Sequence, residues 1–269
     1  MRAVPVQGKR CGFVMLEKFQ VTMKALNRER NVTVYVPAGY FQTGKAYPVL
    51  YMQDGQNLFR DEEASFGISW GIEDYLNKSG LEIIVVGIDC NHNGYDRFHE
   101  YAPWGNETLG KAMFDADCAI GGEGKLYVDF LVHELKSFID RTYRTVAEDT
   151  AIAGSSMGGL ISTYAACVYP EIFKKVASLS SAYWFNQGEI EQFIENSDLS
   201  EIQKFYLDVG TKEETSIIGH QDYIDSSIGV YRILKDKVKD CRFEIIADAL
   251  HNEAAWRERV PQVFAYLFE

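Results

Sequence analysis

The residues of this 269-residue chain best placed to do chemistry lie in the run Ala153-Gly154-Ser155-Ser156-Met157-Gly158-Gly159. Gly154, Ser156 and Gly158 stand at Gly-x-Ser-x-Gly spacing, the pattern of a nucleophile elbow. A β-type run, Thr150 to Ala153, leads into it, and Leu160 to Tyr169 can continue as a helix until Pro170 stops it. On such a strand-to-helix turn a serine is held in a strained backbone conformation with its hydroxyl projecting from the sheet. Side chains at the flanking glycines would clash with the neighbouring strand and helix. The helix that follows aims free N–H groups and its positive dipole end at whatever the hydroxyl attacks.

A serine hydroxyl is a poor nucleophile alone and needs a base within hydrogen-bond reach, itself oriented by an acid. The chain offers His92, His99, His133, His220 and His251. His133 sits inside an amphipathic run, and its context His-Glu-Leu-Lys-Ser lacks the second histidine of a zinc-protease helix. His92 and His99 precede the serine. His251 follows a β-type run, Arg242 to Ala247, and precedes the last helix. That order puts it at the carboxyl edge of a parallel sheet, where Ser156 also stands, and selects it as the base. The acid should fall between the two, after another strand. Lys204 to Val209 runs into Gly210-Thr211-Lys212-Glu213-Glu214, so Asp208, Glu213, Glu214, Asp222 and Asp225 all qualify on chemistry. Two N–H groups must hold the oxyanion: one from Met157, directly after the serine, and one from the loop Gln53-Asp54-Gly55-Gln56-Asn57-Leu58-Phe59.

These groups need a scaffold. Lys18 to Met23 and Asn31 to Pro37 read as an antiparallel hairpin around the polar stretch Asn27 to Arg30. Pro48 to Met52 and Leu81 to Asp89 are continuous apolar runs, as strands buried on both faces should be, with Ser69 to Lys78 helical between them. Lys125 to Tyr143 carries Leu126, Phe130, Leu131, Leu135, Phe138 and Ile139 on one helical face. Strands near Val176 to Leu179, Lys204 to Val209 and Arg242 to Ala247 alternate with helices, including Gln221 to Val238. The last helix carries Pro261 as a kink or restart. Alternation of this kind predicts a mostly parallel sheet with helices on both faces, here as a single domain over residues 1–269. Over thirty residues between Asp89 and Lys125, about 90–124, have weak periodicity. They hold Tyr95, Phe98, Tyr101, Trp104 and Phe114, and read either as a self-packed surface loop or as a lid or wall over the site.

The composition is that of a globular protein, with 46% hydrophobic and 25% charged residues. A net charge of −12 without a basic cluster speaks against nucleic acid as a partner. Five scattered cysteines, an odd number with no Cys-x-x-Cys pair, argue against a disulfide framework or a zinc cluster. Without a visible signal peptide or membrane span, the expected setting is the cytoplasm, with no membrane partner and no metal or organic cofactor.

In order, several segments resemble the esterase family of the α/β-hydrolase superfamily that includes esterase D, enterochelin-type esterases and feruloyl or acetylxylan esterases. They are Val49 to Phe59 (Val-Leu-Tyr-Met-Gln-Asp-Gly-Gln-Asn-Leu-Phe), Arg97 to Trp104 (Arg-Phe-His-Glu-Tyr-Ala-Pro-Trp), Glu134-Leu135 to Thr145, the elbow, Asp208 to Glu213, and His251 to Trp256. The resemblance implies an α/β-hydrolase fold. It places the acid at the fourth position of a Gly-Thr-x-Asp-like turn, here Glu213, with glutamate where the family has aspartate and with Glu214 as the neighbouring alternative. The second oxyanion donor becomes the N–H of Gln56. Gln53 stands where the family often carries histidine, and Arg97 and Glu100 match a pair that braces the long loop.

The expectation is a serine carboxylesterase that cleaves a small acyl or aryl ester, such as an acetyl or feruloyl ester of a sugar, through an acyl-enzyme. Ser156 is its nucleophile, His251 its base and Glu213 its acid, with Met157 and Gln56 as the oxyanion donors. Tyr183 and Trp184, after the strand that follows the elbow helix, are expected to border the substrate together with Phe98 and Trp104. The rivals are a thioesterase or siderophore esterase with the same triad, and a non-catalytic binding protein on the same fold.

Overall fold

In the computed structural model, which describes residues 4–11, 14–215 and 218–269, the described residues form a nine-stranded sheet ordered β1-β2-β3-β5-β4-β6-β7-β8-β9. The strands are β1 Val4–Cys11, β2 Val14–Met23, β3 Arg28–Val36, β4 Tyr47–Gln53, β5 Ile84–Ile88, β6 Thr145–Ser155, β7 Phe173–Leu179, β8 Lys204–Gly210 and β9 Asp240–Ile246. β1, β2 and β3 pair antiparallel and β3 joins β5 antiparallel, whereas β5, β4, β6, β7, β8 and β9 run parallel. The expected hairpin is β2–β3, and the sheet extends one strand further, to β1.

The parallel strands need crossovers, and helices supply them: α1 Ile72–Ser79, α2 Asp96–Tyr101, α3 Glu107–Phe114, α4 Gly124–Phe130, α5 Ser137–Thr142, α6 Met157–Val168, α7 Gln187–Asn196 and α8 His220–Lys237, with α9 Glu253–Phe268 closing the chain. A π-helical turn, Leu131–Lys136, joins α4 to α5. Side chains alternate across the strands. Val49 and Tyr51 of β4 join the core beneath α4, α6 and α8, while Leu50 and Met52 join the core beneath α1 and α9. No helix among the described residues is long and apolar enough to cross a membrane.

Two expectations about regular structure are corrected. Residues 90–124 are not irregular: they contain α2 and α3, and a bridge between Asn106 and Ile120 closes the segment on itself. Helices of six and eight residues are too short for periodicity to reveal. Pro261 does not restart the helix: α9 runs through it. Trp256, Val260, Val263, Phe264 and Leu267 are all buried against the sheet, and that packing outweighs one lost backbone hydrogen bond.

The segment 90–124 is tied to the antiparallel end of the sheet by charge. Glu100 of α2 is buried and takes a bidentate contact from Arg30 of β3 at 2.8 and 2.7 Å, while Arg28 reaches Glu100 at 3.1 Å and also pairs with Glu123. Removing one member of a buried pair strands the other's charge, at a cost of about 3–5 kcal/mol. Glu100→Ala should therefore lower unfolding free energy by about that amount in a urea titration. A loss under about 1 kcal/mol would mean that this pair does not anchor the segment.

Candidate active site

Loops leaving the carboxyl ends of β4, β6, β7, β8 and β9 converge on one edge of the sheet. Ser156 follows β6 directly, with φ 56° and ψ −127°, a region that residues with a Cβ avoid. Its N–H donates to the Leu179 carbonyl at 3.0 Å, and its own carbonyl accepts from Ala182 and Gly159, each at 3.0 Å. The turn is thereby pinned to β7 and to the start of α6. At Gly154 a Cβ would come within 2.5 Å of the Gly158 carbonyl oxygen, so the close crossing of strand and helix admits only glycine. Met157 opens α6, and first-turn N–H groups have no partner within the helix.

The turn after β8 delivers Glu213 to the same edge. Glu213 is fully buried, whereas Glu214 is exposed, as are Asp222 and Asp225. Glu213 Oε2 lies 3.1 Å from His251 Nδ1, and Oε1 accepts from Gly210 N–H at 2.5 Å and from the Ser180 hydroxyl. An ionised carboxylate only accepts, so this contact puts the proton of neutral His251 on Nδ1 and leaves Nε2 as the basic nitrogen. The ring is held between Tyr223, with centroids 4.8 Å apart, and the edge-on indole of Trp256 at 5.1 Å. Asp208, the other buried candidate acid, does not meet the histidine; it pairs with Arg259 at 2.7 Å. Of the remaining histidines, His133 and His220 are exposed and His99 bonds to the Gly121 backbone.

The loop after β4 lies against β5. A Cβ on Gly55 would meet the Gly87 and Ile88 backbone at 2.6–2.8 Å, so this approach also requires glycine. The loop's short turn closes through Asn57 N–H to Asp54 O at 2.9 Å and Leu58 N–H to Gly55 O at 3.3 Å, with Gln56 between them. Its side chains are gripped from several elements. Cys90 N–H donates to Gln56 Oε1 at 3.0 Å, Tyr127 hydroxyl to Gln53 Oε1 at 2.5 Å, Asn57 Nδ2 to Glu253 Oε1 at 3.0 Å, and Arg97 makes a fork to Asp54 at 2.8 and 2.9 Å.

A cavity of about 630 Å³ opens over these groups. Ser155, Ser156, Gln56 and His251 line it, together with Asp54, Asn57, Cys90, His92, Arg97 and Glu253 and the aromatic rings of Phe66, Trp70 and Trp256. None of the four aromatics expected at the substrate borders it. Tyr183 is fully buried with its hydroxyl on Thr163 and Ser178, and Trp104 packs on Tyr164 and Phe193. Phe98 packs at a tilt on Phe185, and Trp184 packs on Tyr223, behind His251. The rings that do face the cavity come from the segment between β4 and α1 and from α9. Trp256 had a signal in its spacing from His251; Phe66 and Trp70 had none. Burial raises the Glu253 carboxyl above its usual range, and neighbouring Asp54 adds to that rise while His251 and Arg97 oppose it.

Because the Gly154 crossing leaves no room for a methyl group, Gly154→Ala should destabilise the fold by about 1–3 kcal/mol and depress activity together. Thermal unfolding and ester turnover measured side by side would check it. A variant of unchanged stability and turnover would contradict the crossing described.

Comparison with known proteins agrees with this architecture. A family model described as "Putative esterase" matches residues 23–267. A Bacillus subtilis (strain 168) protein, "Uncharacterized protein YbbA", is 27% identical over 218 residues, covering 77% of this chain and 79% of that one. Among solved structures, a ferulic acid esterase superposes with a TM-score of 0.69 at 20% identity, covering 96% of this chain and 99% of its own. An IroE-like serine hydrolase from Shewanella oneidensis gives 0.75 at 19% identity, covering 94% and 78%. Structural likeness at such identity speaks for the α/β-hydrolase fold, and the match over residues 23–267 speaks for the family. The chain belongs to that esterase family, enzymes acting on ester bonds, with an α/β-hydrolase fold.

Proposed function

We propose that this esterase works through a Ser156–His251–Glu213 triad on a small acyl or aryl ester. The observation that carries the reading is the 3.1 Å contact of buried Glu213 with Nδ1 of His251, which lines one cavity with a serine in the elbow conformation. His251 Nε2 takes the Ser156 proton as the hydroxyl attacks the ester carbonyl. Glu213 holds the ring and stabilises the imidazolium, and the N–H groups of Met157 and Gln56 receive the oxyanion. His251 then protonates the leaving alcohol, and water enters by the reverse route to release the acid. No step calls for a metal or cofactor. The cavity volume suits a single aryl or sugar ring, with Trp70 and Trp256, ring centroids 5.6 Å apart, as the apolar wall. Acetyl and feruloyl esters of sugars fit this description. The free thiols at Cys90, Cys118, Cys167 and Cys241 suit a cytoplasmic setting.

Ser156→Ala and His251→Ala should each lower kcat for a p-nitrophenyl ester by about 10⁴-fold or more, and Ser156→Ala should abolish fluorophosphonate labelling, while Ser155→Ala keeps most activity. Labelling at Ser155 would put the elbow out of register. A panel of acetyl, feruloyl and thioester substrates then ranks the acyl group.

Glu213→Gln should lower kcat by roughly 10²–10⁴-fold, because an amide cannot stabilise the imidazolium, whereas exposed Glu214→Gln should stay near wild type. Steady-state kinetics on the two variants decides the acid. A large loss at Glu214 alone would move it by one residue, and small equal losses would leave a serine–histidine dyad.

A further inference from the structure

Asp208 has no part in the steps above, yet it is buried and linked to the acid by two routes. Arg259 of α9 donates from Nη1 to Asp208 Oδ1 at 2.7 Å and to Ser180 Oγ at 2.9 Å. Its Nη2 is buried and without a hydrogen bond among the described residues, 3.5 Å from Glu213 Oε1. Ser180 Oγ also accepts from Trp256 Nε1 at 2.9 Å. A hydroxyl has two acceptor sites and one hydrogen. Both acceptor sites are taken by N–H groups that cannot reverse, which commits the hydrogen to Glu213 Oε1. The Ser180 backbone, at φ 48°, is held by its N–H donating to the carbonyl and Oδ1 of Asp208, at 2.9 and 3.2 Å. Two carboxylates thus share one guanidinium, and the buried cluster has one negative charge in excess.

We propose that Asp208 is a positioning residue for the acid: through Arg259 and Ser180 it aims Glu213 at His251 and supplies the excess negative charge that holds the imidazolium. The inference rests on the triad reading and extends it by one residue. Burial pushes the Asp208 carboxyl up to about 6, against Arg259 and with Glu213 adding to the rise. It therefore titrates in the range of an ordinary histidine. A proton on Asp208 removes the excess charge and leaves Arg259 to Glu213 alone, so the His251 proton is held less tightly. Proton uptake at the two sites is therefore opposed. The other groups facing the cluster are Tyr206, whose hydroxyl donates to Asp208 Oδ2 at 3.1 Å, and, beside His251, the rings of Tyr223 and Trp256. Glu253 also couples to the charges of His251, Asp54 and Arg97.

The test is NMR titration of ¹³C-histidine-labelled protein, with the His251 signal assigned from His251→Gln. Asp208→Asn should lower the His251 midpoint by about 0.5–1 in pH. In p-nitrophenyl ester hydrolysis, the acid limb of kcat/KM should move down by the same interval, with a lower plateau kcat and an unchanged KM. An unmoved midpoint overturns the proposal. A moved midpoint in a protein that cleaves no ester would sustain the cluster and sink the triad reading instead, so the two failures are distinct. Should Asp208→Asn not fold, Tyr206→Phe removes only one donor to Asp208 and favours its protonated form. His251 should then also titrate lower, and an unmoved midpoint there overturns the proposal too.

Discussion

Ser156 occupies a backbone conformation that costs about 1–3 kcal/mol, and the geometry of the site is referred to that one point. β6 runs between β4 and β7, so the strand cannot relax sideways. The Ser156 N–H is taken by Leu179, and its carbonyl by Ala182 and Gly159. Strand pairing on both sides and the core beneath α6 together exceed the local strain. Once the serine is fixed, the elbow and the loop after β4 border one cavity. The turn after β8 and the loop after β9 bring their side chains to the same place, because parallel strands end on the same edge of the sheet.

The loops on this edge are held by polar pairs. Arg97 forks onto Asp54, Arg259 joins Asp208, and His251 bonds to Glu213. Each pair links segments distant in sequence, so each fixes the relative placement of two elements. Such pairs add little net stability against apolar replacements, and their value lies in geometry. Directional hydrogen bonds leave a loop fewer alternative seats than apolar contacts would.

Much of this was legible in the residues themselves. The elbow announces itself because its glycines are required by a close crossing, and the tightest approach at Gly154 is to Gly158, four residues on. Chain order placed His251 and the turn after β8 at one edge, since β–α alternation dictates where parallel strands end. Residue chemistry left Glu213 and Glu214 equal and only the family resemblance favoured the first, because which side chain the turn folds inward is a matter of contacts with Ser180 and Gly210. The cavity's aromatic wall was hidden for a related reason. Phe66 and Trp70 lie far in sequence from the histidine they accompany, and Phe66 carries no periodic signal at 75% exposure. Tyr183, Trp184, Phe98 and Trp104 were visible, but Tyr183 and Trp104 pack against α6 and α7, Phe98 against Phe185, and Trp184 against Tyr223 of α8.

The double tether on the 90–124 segment has a kinetic meaning. Arg30 and Glu100 bind it to β3, and Arg97 binds it to the loop beside the serine. Parting a desolvated pair costs on the order of a few kcal/mol, which would leave the segment detached in roughly one molecule in several hundred or fewer. An incoming ester would therefore meet a receptacle whose shape precedes it. Discrimination among acyl groups would rest on fit to a preformed surface, with no closing motion to wait for before acylation and no opening motion to delay the departing acid.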